Sequence, residues 1–507
     1  AVTKIIFADS DTVTITGAIT AATANDGTIQ VTGANKTFSG TIGGTRIGTL
    51  DINETSTYTG AVTVDSLDIA ANKTATFKNN VTLNTSATIN SSATFLVTSA
   101  GTPAAITVTG SVLGASDGVG TVQITNTGGT TFTTTVGNTA NTLALINIDQ
   151  DTTFSGSVEA TAINNAASTT ATFSDNVTAT ITNSGTLLFN TSADKSVTGT
   201  ISEAAGGDTT EIKVIDSADG APATVTFTAT VAADTLTVGT TSKAGAALFE
   251  DDVTVPAINI TGANSGDENS TATFNTAVTA TAIVLDDSGI AGKAKVIFAA
   301  ANTATITGTI NGSATTEGSI QITGATKTFA SIIGGSNPLT LIDIDGTSIF
   351  NAAVSATNID NDGTATFKSD VTAATANDGT LTLTPNGNNN ITHTGAISGA
   401  GTLNAVEADD GAVNSVTFST TVAAATFNVG STSKSGVVIL NGDTTVTNLN
   451  IYGGDANAED STVTVNGDLD TTTTTLDDGT NSAVTKIIFA DSDTVTITGA
   501  ITAATAN

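Results

Sequence analysis

Apolar and polar residues alternate along most of this chain in short runs. TVTITGAI, KTFSGTI, STYTGAV and ITVTGSV each alternate branched or apolar residues with Thr or Ser. A period of two residues is that of a strand buried on one face. Turns such as ANDGT, at 24–28 and again at 376–380, separate the runs, and we expect them to hold Gly, Asn and Asp at positive φ. Helical periodicity is not sustained anywhere, so the pattern predicts an all-β chain with nearly no α-helix.

Repeats of several lengths organise these runs. Residues 1–25 recur letter for letter as residues 483–507, an offset of 482. Weaker matches have offsets of 291, 191 and 96, and 291 and 191 add up to 482. We therefore predict one tandem-repeat unit, residues 1–482, followed at 483–507 by the start of the next copy of a longer array. The unit divides into five modules, at about 1–96, 97–191, 192–291, 292–383 and 384–482.

Two all-β architectures fit short strands repeated in this way. A β-sandwich module normally uses large aromatic anchors, whereas Phe is the only frequent aromatic residue here and Trp is absent. One aromatic residue in roughly 20, among small and branched residues, suits stacked coils that each contribute a few inward side chains. We therefore predict an elongated β-solenoid (β-helix) of roughly 25 short rungs, with tandem β-sandwich modules as the alternative. Recurring Phe residues, such as Phe77 and Phe173, are expected to face inward.

The charge balance narrows the possible partners. The chain has 46 acidic and 14 basic residues, a net charge of −32, so it presents no basic face for a nucleic acid. No apolar run approaches the ~20 residues that span a bilayer. Cys is absent, which fits a bacterial surface protein that avoids disulfides as well as a cytosolic protein.

Catalytic groups are scarce. With no Cys and a single His, His393, the chain lacks the usual nucleophile and base pairs. His393 aligns with Ile15 and is expected to be an ordinary strand residue. We predict that the chain is not an enzyme and has no catalytic residue. A polysaccharide-active β-helix enzyme and an ice-binding solenoid, the latter suggested by the Thr run 471–475, are kept as less favoured alternatives.

Calcium is the one cofactor that the sequence suggests, because oxygen ligands cluster on its turns. The weak metal candidates are Asp343, Asp345, Asp360, Asp362, Glu250, Asp251 and Asp252. The segment 358–363, NIDNDG, comes nearest to an EF-hand loop, but Ser369 stands where that loop requires Glu. Turn capping and solubility are the competing interpretation of these acidic residues.

The ITGxI and VTF/ATF strands and the NDGT turns resemble those of repetitive bacterial cell-surface proteins: autotransporter-passenger β-helices, rickettsial-type outer-membrane antigens, and large repetitive adhesins or surface-layer proteins. This resemblance implies an extracellular, rigid, repetitive β-structure on a bacterial cell. We therefore expect a structural fibre, stalk or surface coat whose partner is the protein itself, through a covalent tandem array, a homopolymer or lateral contacts. The alternative is an adhesin stalk that presents a binding domain outside these residues.

Overall fold

Every regular element among the described residues is a β-strand. The structure is a computed structural model that describes residues 3–206, 208–218, 221–263, 269–288, 292–299, 301–385, 389–408, 414–454, 460–478, 483–490 and 497–504. The chain divides into two units, Ala1–Val255 and Pro256–Asn507.

The strands of the first unit are β1 (Lys4–Phe7), β2 (Val13–Ile15), β3 (Asp26–Val31), β4 (Lys36–Phe38), β5 (Ile42–Ile52), β6 (Ser56–Tyr58), β7 (Val62–Ile69), β8 (Thr74–Phe77), β9 (Val81–Ile89), β10 (Thr94–Thr98), β11 (Ile106–Gly114), β12 (Thr121–Thr125), β13 (Thr130–Phe132), β14 (Leu143–Ile148), β15 (Thr152–Phe154), β16 (Val158–Asn165), β17 (Thr170–Phe173), β18 (Val177–Asn183), β19 (Thr186–Thr191), β20 (Lys195–Thr198), β21 (Ile201–Glu203), β22 (Glu211–Asp216), β23 (Thr224–Phe227), β24 (Val231–Ala232), β25 (Thr235–Val238), β26 (Ala246–Phe249) and β27 (Val253–Thr254).

The strands of the second unit are β28 (Ala257–Thr261), β29 (Ser270–Phe274), β30 (Val278–Asp286), β31 (Ala294–Phe298), β32 (Ala304–Gly312), β33 (Ser319–Ile322), β34 (Lys327–Phe329), β35 (Leu339–Ile344), β36 (Thr347–Phe350), β37 (Val354–Asn361), β38 (Thr364–Phe367), β39 (Val371–Asn377), β40 (Thr380–Leu383), β41 (Ile391–His393), β42 (Ile397–Ser398), β43 (Thr402–Ala405), β44 (Ser415–Phe418), β45 (Val422–Val429), β46 (Val437–Leu440), β47 (Thr444–Tyr452), β48 (Ser461–Val465), β49 (Leu469–Asp477), β50 (Thr485–Phe489) and β51 (Ile497–Ala503).

Each unit is a β-solenoid whose coils have three segments, most of them strands, although Val136 in the first unit and Ile333 in the second contribute isolated parallel bridges instead. β8 forms one segment, and β9 forms the next two because its halves pair separately: Val81 lies beside Val62, and Ala87 beside Leu67, with a register shift between them. All described strand pairings are parallel and join a coil to its neighbours, as in β6–β8 and β7–β9. The solenoid prediction is therefore confirmed, and the β-sandwich alternative does not describe this fold.

Coil length varies more than the sequence pattern suggested. Ile146 and its partner Ile163 are 17 residues apart, whereas Ile201 and its partner Val231 are 30 apart because the connections between β21 and β22 and between β22 and β23 are both longer in that coil. The structure consequently contains about 21 coils rather than the predicted 25 or so.

Inward side chains form columns of like residues through successive coils. In the first unit Phe38, Tyr58 and Phe77 are fully buried, and their ring centroids follow one another at 5.1 Å. Rings at this distance in stacked or tilted arrangements add to the energy of burial itself. The prediction that Phe77 and Phe173 face inward is confirmed, since both are 0% exposed.

Sequence modules and coils are out of step in the first unit. Four pairings lead from Phe77 through Val97, Ile124 and Ile148 to Asn165. The sequence counterpart of Phe77 at the 96-residue offset is Phe173, eight residues beyond Asn165 and on the next face. A 96-residue module therefore makes four complete coils and continues onto the next of the three faces of the solenoid. Residues that are equivalent in the sequences of successive modules consequently lie on different faces.

Candidate functional site

The single histidine is a core residue. His393 ends β41 and is 1% exposed. Its Nδ1 donates to the carbonyl of Gly395 at 3.0 Å, which leaves Nε2 to accept the hydroxyl of Thr375 at 3.0 Å. Burial, opposed by the bond to Gly395, lowers the pKa of His393 to about 4. The residue is therefore neutral at physiological pH and lies in a core column beside Phe418.

Four of the metal candidates come together on the outer surface of the second unit. Asp343 and Asp360 are partners in adjacent coils, and Asp345 and Asp362 follow two residues later, at the turns where β35 and β37 end. Asp343 is half-buried and the other three are exposed. The structure therefore places these four calcium candidates near one another, and their role as calcium ligands stays a prediction.

We call the group formed by Asp343, Asp345, Asp360 and Asp362 the acidic corner. Burial and repulsion between these carboxylates determine its electrostatics. The pKa of Asp343 is raised, first by partial burial and then by the charges of Asp345, Asp360 and Asp362, while Lys295 opposes the shift. Gln321 in the preceding coil donates an amide hydrogen bond of 3.0 Å to Asp345. A side-chain donor from the coil below thus satisfies one of the exposed carboxylates.

Close backbone packing explains the glycine in three Asp-Gly pairs of this surface, 345–346, 362–363 and 378–379. A Cβ added at Gly363 would lie 2.0 Å from the carbonyl oxygen of Gly346, and one at Gly379 would lie 2.0 Å from that of Gly363. Asp362 and Gly363 both donate to the carbonyl of Ile344, at 3.0 and 2.8 Å. The Asp-Gly pairs therefore form a tight stack in which only Gly fits next to the carboxylate.

The same pentapeptide adopts two conformations. In ANDGT at 24–28, Asn25 and Gly27 have φ of 72° and 80°, as predicted. At 376–380 neither Asn377 nor Gly379 has positive φ, and Asn377 is fully buried. The expectation of positive φ is wrong there because β39 extends to Asn377 and the stack at Gly379, rather than backbone handedness, requires glycine.

The other candidates, Glu250, Asp251 and Asp252, form a turn in the first unit between β26 and β27. Asp251 Oδ1 accepts the N–H of Asp252 at 2.8 Å, as Asn79 does for Asn80 and Asp175 for Asn176 at equivalent turns. The carbonyl of Asp252 accepts the N–H of Val231 at 3.1 Å. These residues cap a turn, which is the competing interpretation made from the sequence.

Among the described residues, no group of three or more His, Cys, Asp or Glu side chains is arranged to hold a metal ion. The acidic corner concentrates negative charge, yet its carboxylates lie along a surface rather than around a point. Calcium binding therefore stays a prediction for solution experiments to test.

Buried asparagines are a polar feature that sequence reasoning missed. In the second unit Asn361 Nδ2 donates to Asn377 Oδ1 at 2.6 Å, and Asn377 Nδ2 to the carbonyl of Thr402 at 3.1 Å. In the first unit Asn165 Nδ2 donates to Asn183 Oδ1 at 2.8 Å. All four amides are 2% exposed or less. The signal was an Asn at the last inward position of a strand where the pattern calls for an apolar residue.

Two lysines are also buried, at positions related by the 291-residue offset. Lys36 is 2% exposed, and its Nζ donates to the carbonyls of Asp11 at 2.6 Å and Ala34 at 3.0 Å. Lys327 is 1% exposed, donates to Ala325 and Asn302, and has its pKa lowered by burial. Because the acceptors are backbone carbonyls, replacement of Asp11 by Asn302 in the second copy leaves this arrangement intact.

A further group of acidic residues links the end of one strand to the start of the next. The carboxylates of Asp216, Asp287, Glu407 and Asp478 each accept the backbone N–H of the residue seven positions later, at 2.7 to 3.1 Å. A Phe follows each carboxylate by eleven residues: Phe227, Phe298, Phe418 and Phe489. Part of the chain's acidity is therefore structural, because each carboxylate completes the hydrogen bonding of a loop.

Outward threonines form short files that other residues interrupt. Thr14, Thr37, Thr57 and Thr76 occupy one register position in successive coils, and Leu96 follows them. In the run 471–475, Thr471 and Thr474 are buried and bond to each other at 2.9 Å. That run is therefore not the outward array that suggested ice binding.

Comparison with known proteins yields no family: no family model, no curated protein and no solved structure matches the chain. No helix long and apolar enough to cross a bilayer occurs in the part of the chain that the structure describes. The resemblance to bacterial surface proteins stays a prediction.

Proposed function

We propose that this chain is part of an extracellular structural protein of a bacterium, in which tandem copies of a β-solenoid form a rigid fibre, stalk or surface coat. The observation that carries the proposal is the exact copy of residues 1–25 at 483–507, combined with coil-to-coil pairing that engages both copies. A repeat whose start is itself a stacking coil is suited to growth by addition of further repeats.

The interior of each unit supports a mechanical role. Coils are joined by parallel backbone ladders, and the core columns contain stacked rings such as Phe350 and Phe367 at 4.6 Å. Because each interior coil is held by its neighbours on both sides, bending the stack would break several hydrogen bonds and ring contacts together. Stiffness of this kind suits a stalk or a coat.

The composition of the chain is compatible with a location outside the cell. A net charge of −32 keeps the protein soluble, and the absence of Cys removes any dependence on the redox state of the compartment. Self-association through coil ends and lateral contacts is the partner interaction that we propose.

Labelling of intact cells tests this proposal. Antibodies raised against the chain should label unbroken cells of the source organism, and negative-stain images of material released from the surface should show long fibres with an axial repeat. An antibody against a cytosolic protein serves as the control and should label only lysed cells. If the solenoid antibody also requires lysis, the proposed location is wrong; compact particles in the images would argue against a fibre.

A further inference from the structure

The identical end segments show one sequence in two structural settings. In the first unit, residues 4–7 pair with the coil that follows them, Lys4 beside Thr28 and Phe7 beside Val31. In the second unit, the identical residues 486–489 pair with the coil that precedes them, Lys486 beside Thr462 and Phe489 beside Val465. The same strand is thus seen bound through each of its two edges.

The two pairings use different peptide groups of the repeated strand. Towards the following coil, the carbonyls of Thr3 and Phe7 accept the N–H groups of Thr28 and Thr32 at 2.9 and 3.0 Å. Towards the preceding coil, the carbonyl of Val484 accepts from Ser461 at 3.1 Å, and the N–H of Ala490 donates to Val465 at 3.0 Å. Val484 and Ala490 flank Thr485 and Phe489, the copies of Thr3 and Phe7. Successive peptide groups of a strand point to opposite edges. The repeated strand can therefore pair with the preceding coil and the following coil at the same time, because each pairing uses different peptide groups.

Apolar side chains mark the uncovered sides of these segments. Ile5 and Ile6 are 44% and 53% exposed in the first unit, and Ile488 and Phe489 are 43% and 39% exposed in the second, whereas Val31 and Val465 in the adjacent coils are fully buried. Within the described residues, β1 and β50 each pair along one edge, and apolar surface beside the other edge is a template for another strand.

We propose that the free edge of strand β50 binds the coil formed by residues 26–50 of a second copy of this chain, head to tail, in the place that residues 4–7 of that copy otherwise occupy. The register is the one seen within the first unit, with Lys486 beside Thr28 and Phe489 beside Val31 of that copy. Consecutive repeats then join without a break in the ladder, whether the second copy continues the same chain or is a separate molecule. This inference rests on the proposed structural function and names the surface through which copies join.

We call this pairing between β50 and residues 28–31 of a second copy the joint. Substitutions in one of the two copies of the repeated segment test it in the full chain. Ile5→Pro removes an N–H that faces the 28–31 strand and places the proline ring in the gap, so the first segment should release its own coil edge. The intact 483–507 segment of a second molecule then has a vacant partner. We expect Ile5→Pro to form head-to-tail oligomers by analytical ultracentrifugation between about 1 µM and about 1 mM, the range of Kd that corresponds to roughly −8 to −4 kcal/mol.

The matched control carries the same change in both copies. Ile487 is the copy of Ile5, and its N–H lies on the free edge, so Ile487→Pro blocks the joint while leaving the bonds of Val484 and Ala490 to the preceding coil. Ile5→Pro/Ile487→Pro should therefore remain monomeric. The inference is overturned if Ile5→Pro stays monomeric throughout that range, or if the double variant assembles equally well.

A second measurement does not depend on the proline variants folding. A chain extended after Asn507 by a further copy of residues 26–52 should slow amide exchange at Ile487 and Phe489 by about tenfold or more relative to the unextended chain, since each gained hydrogen bond contributes about 1 kcal/mol. An extension of the same composition in shuffled order is the control. Equal exchange with both extensions would refute the joint, and neither result alters where the protein is found on the cell.

Discussion

The core of the second unit holds the polar ring of His393 because neighbouring groups complete its hydrogen bonding. His393 occupies a column position between Val371 and Phe418, and both ring nitrogens are satisfied by Gly395 and Thr375. A buried polar group without such partners would cost roughly 1–3 kcal/mol. The neutral imidazole thus replaces an apolar residue at little cost, but a proton added to it would disrupt the arrangement.

His393 should make stability depend on pH in a window set by its pKa. The folded-state pKa of about 4 lies below the ordinary value of 6.5, so the contribution of the neutral ring is complete above about pH 6.5 and is lost as the pH falls towards 4. At 1.36 kcal/mol per pH unit this loss amounts to about 3 kcal/mol. The variant His393→Leu/Thr375→Val removes the ring and the hydroxyl that it serves, and should lose less stability than the wild type between pH 7 and pH 4.5 in urea unfolding. Since the carboxylates are common to both proteins, equal losses would contradict this account.

Inward aromatic residues should dominate the mutational sensitivity of the solenoid. Phe77 and Phe173 are fully buried and lie between rings of the coils on either side. Truncation to Ala should cost roughly 3–5 kcal/mol of local stability, whereas Thr76→Ala and Thr172→Ala, on the outward side of the same strands, should change it by about 0.5 kcal/mol or less. Hydrogen exchange of the neighbouring coils measures both, and similar effects from the two pairs would overturn the assigned facing.

At the scale of elements, buried asparagines are the last residues of several strands. Asn361 and Asn377 close β37 and β39 at the last inward position and tie their coils to each other and to Thr402. An outward Asn ladder in the second unit uses the same side chain differently: Asn428 donates to Asn404 at 2.9 Å, and Asn404 to Thr382 at 3.2 Å, in half-buried positions. Water can replace the outward bonds but cannot reach the inward ones.

Replacement of one asparagine from each ladder separates the two roles. Asn377→Ala leaves the buried amide of Asn361 and the carbonyl of Thr402 without their partner, so it should destabilise the second unit by roughly 1–3 kcal/mol per orphaned group. Asn404→Ala should cost about 0.5 kcal/mol or less because its partners regain hydrogen bonds to water. The midpoint of urea unfolding, measured for both variants, checks this, and equal shifts would mean that burial does not distinguish the ladders.

The alternation of apolar and polar residues was sufficient to predict the strands and the solenoid. Inward and outward side chains alternate within each strand, and insertions in the loops do not change this period of two. The alternation could not predict that the 96-residue module advances by one face, since Phe77 and Phe173 look equivalent until coil length is known. The ANDGT segments show the same limit. Glycine can be required for a positive φ or for close packing, and at Gly379 the reason is the contact with Gly363 in the preceding coil, which the sequence does not reveal. Buried Lys36 was missed because its partners are backbone carbonyls, which leave no trace in the side-chain sequence. Asn377 was missed because one partner is the carbonyl of Thr402 and the other, Asn361, becomes its neighbour only through the coil register.

At the scale of the whole molecule, negative charge opposes the stacking that the core favours. The chain has a net charge of −32, and parallel stacking brings strands to within about 4.8 Å of one another. Asp343 and Asp360 are direct neighbours in this sense, and repulsion contributes to the raised pKa of Asp343. Screening by salt should therefore weaken the repulsion between these surface carboxylates and stabilise the fold.

Sodium chloride should raise the melting temperature of the full chain between about 0.01 M and 0.15 M ionic strength, because the Debye length falls from roughly 30 Å to roughly 8 Å. Calcium chloride at the same ionic strength tests the calcium prediction within the same experiment. A rise beyond that given by sodium chloride, lost in Asp345→Asn/Asp362→Asn but retained in Asp251→Asn, would assign calcium to the acidic corner. Identical melting curves in the two salts would leave screening as the only effect of cations, and a melting temperature that is insensitive to both would show that the surface charges do not limit stability.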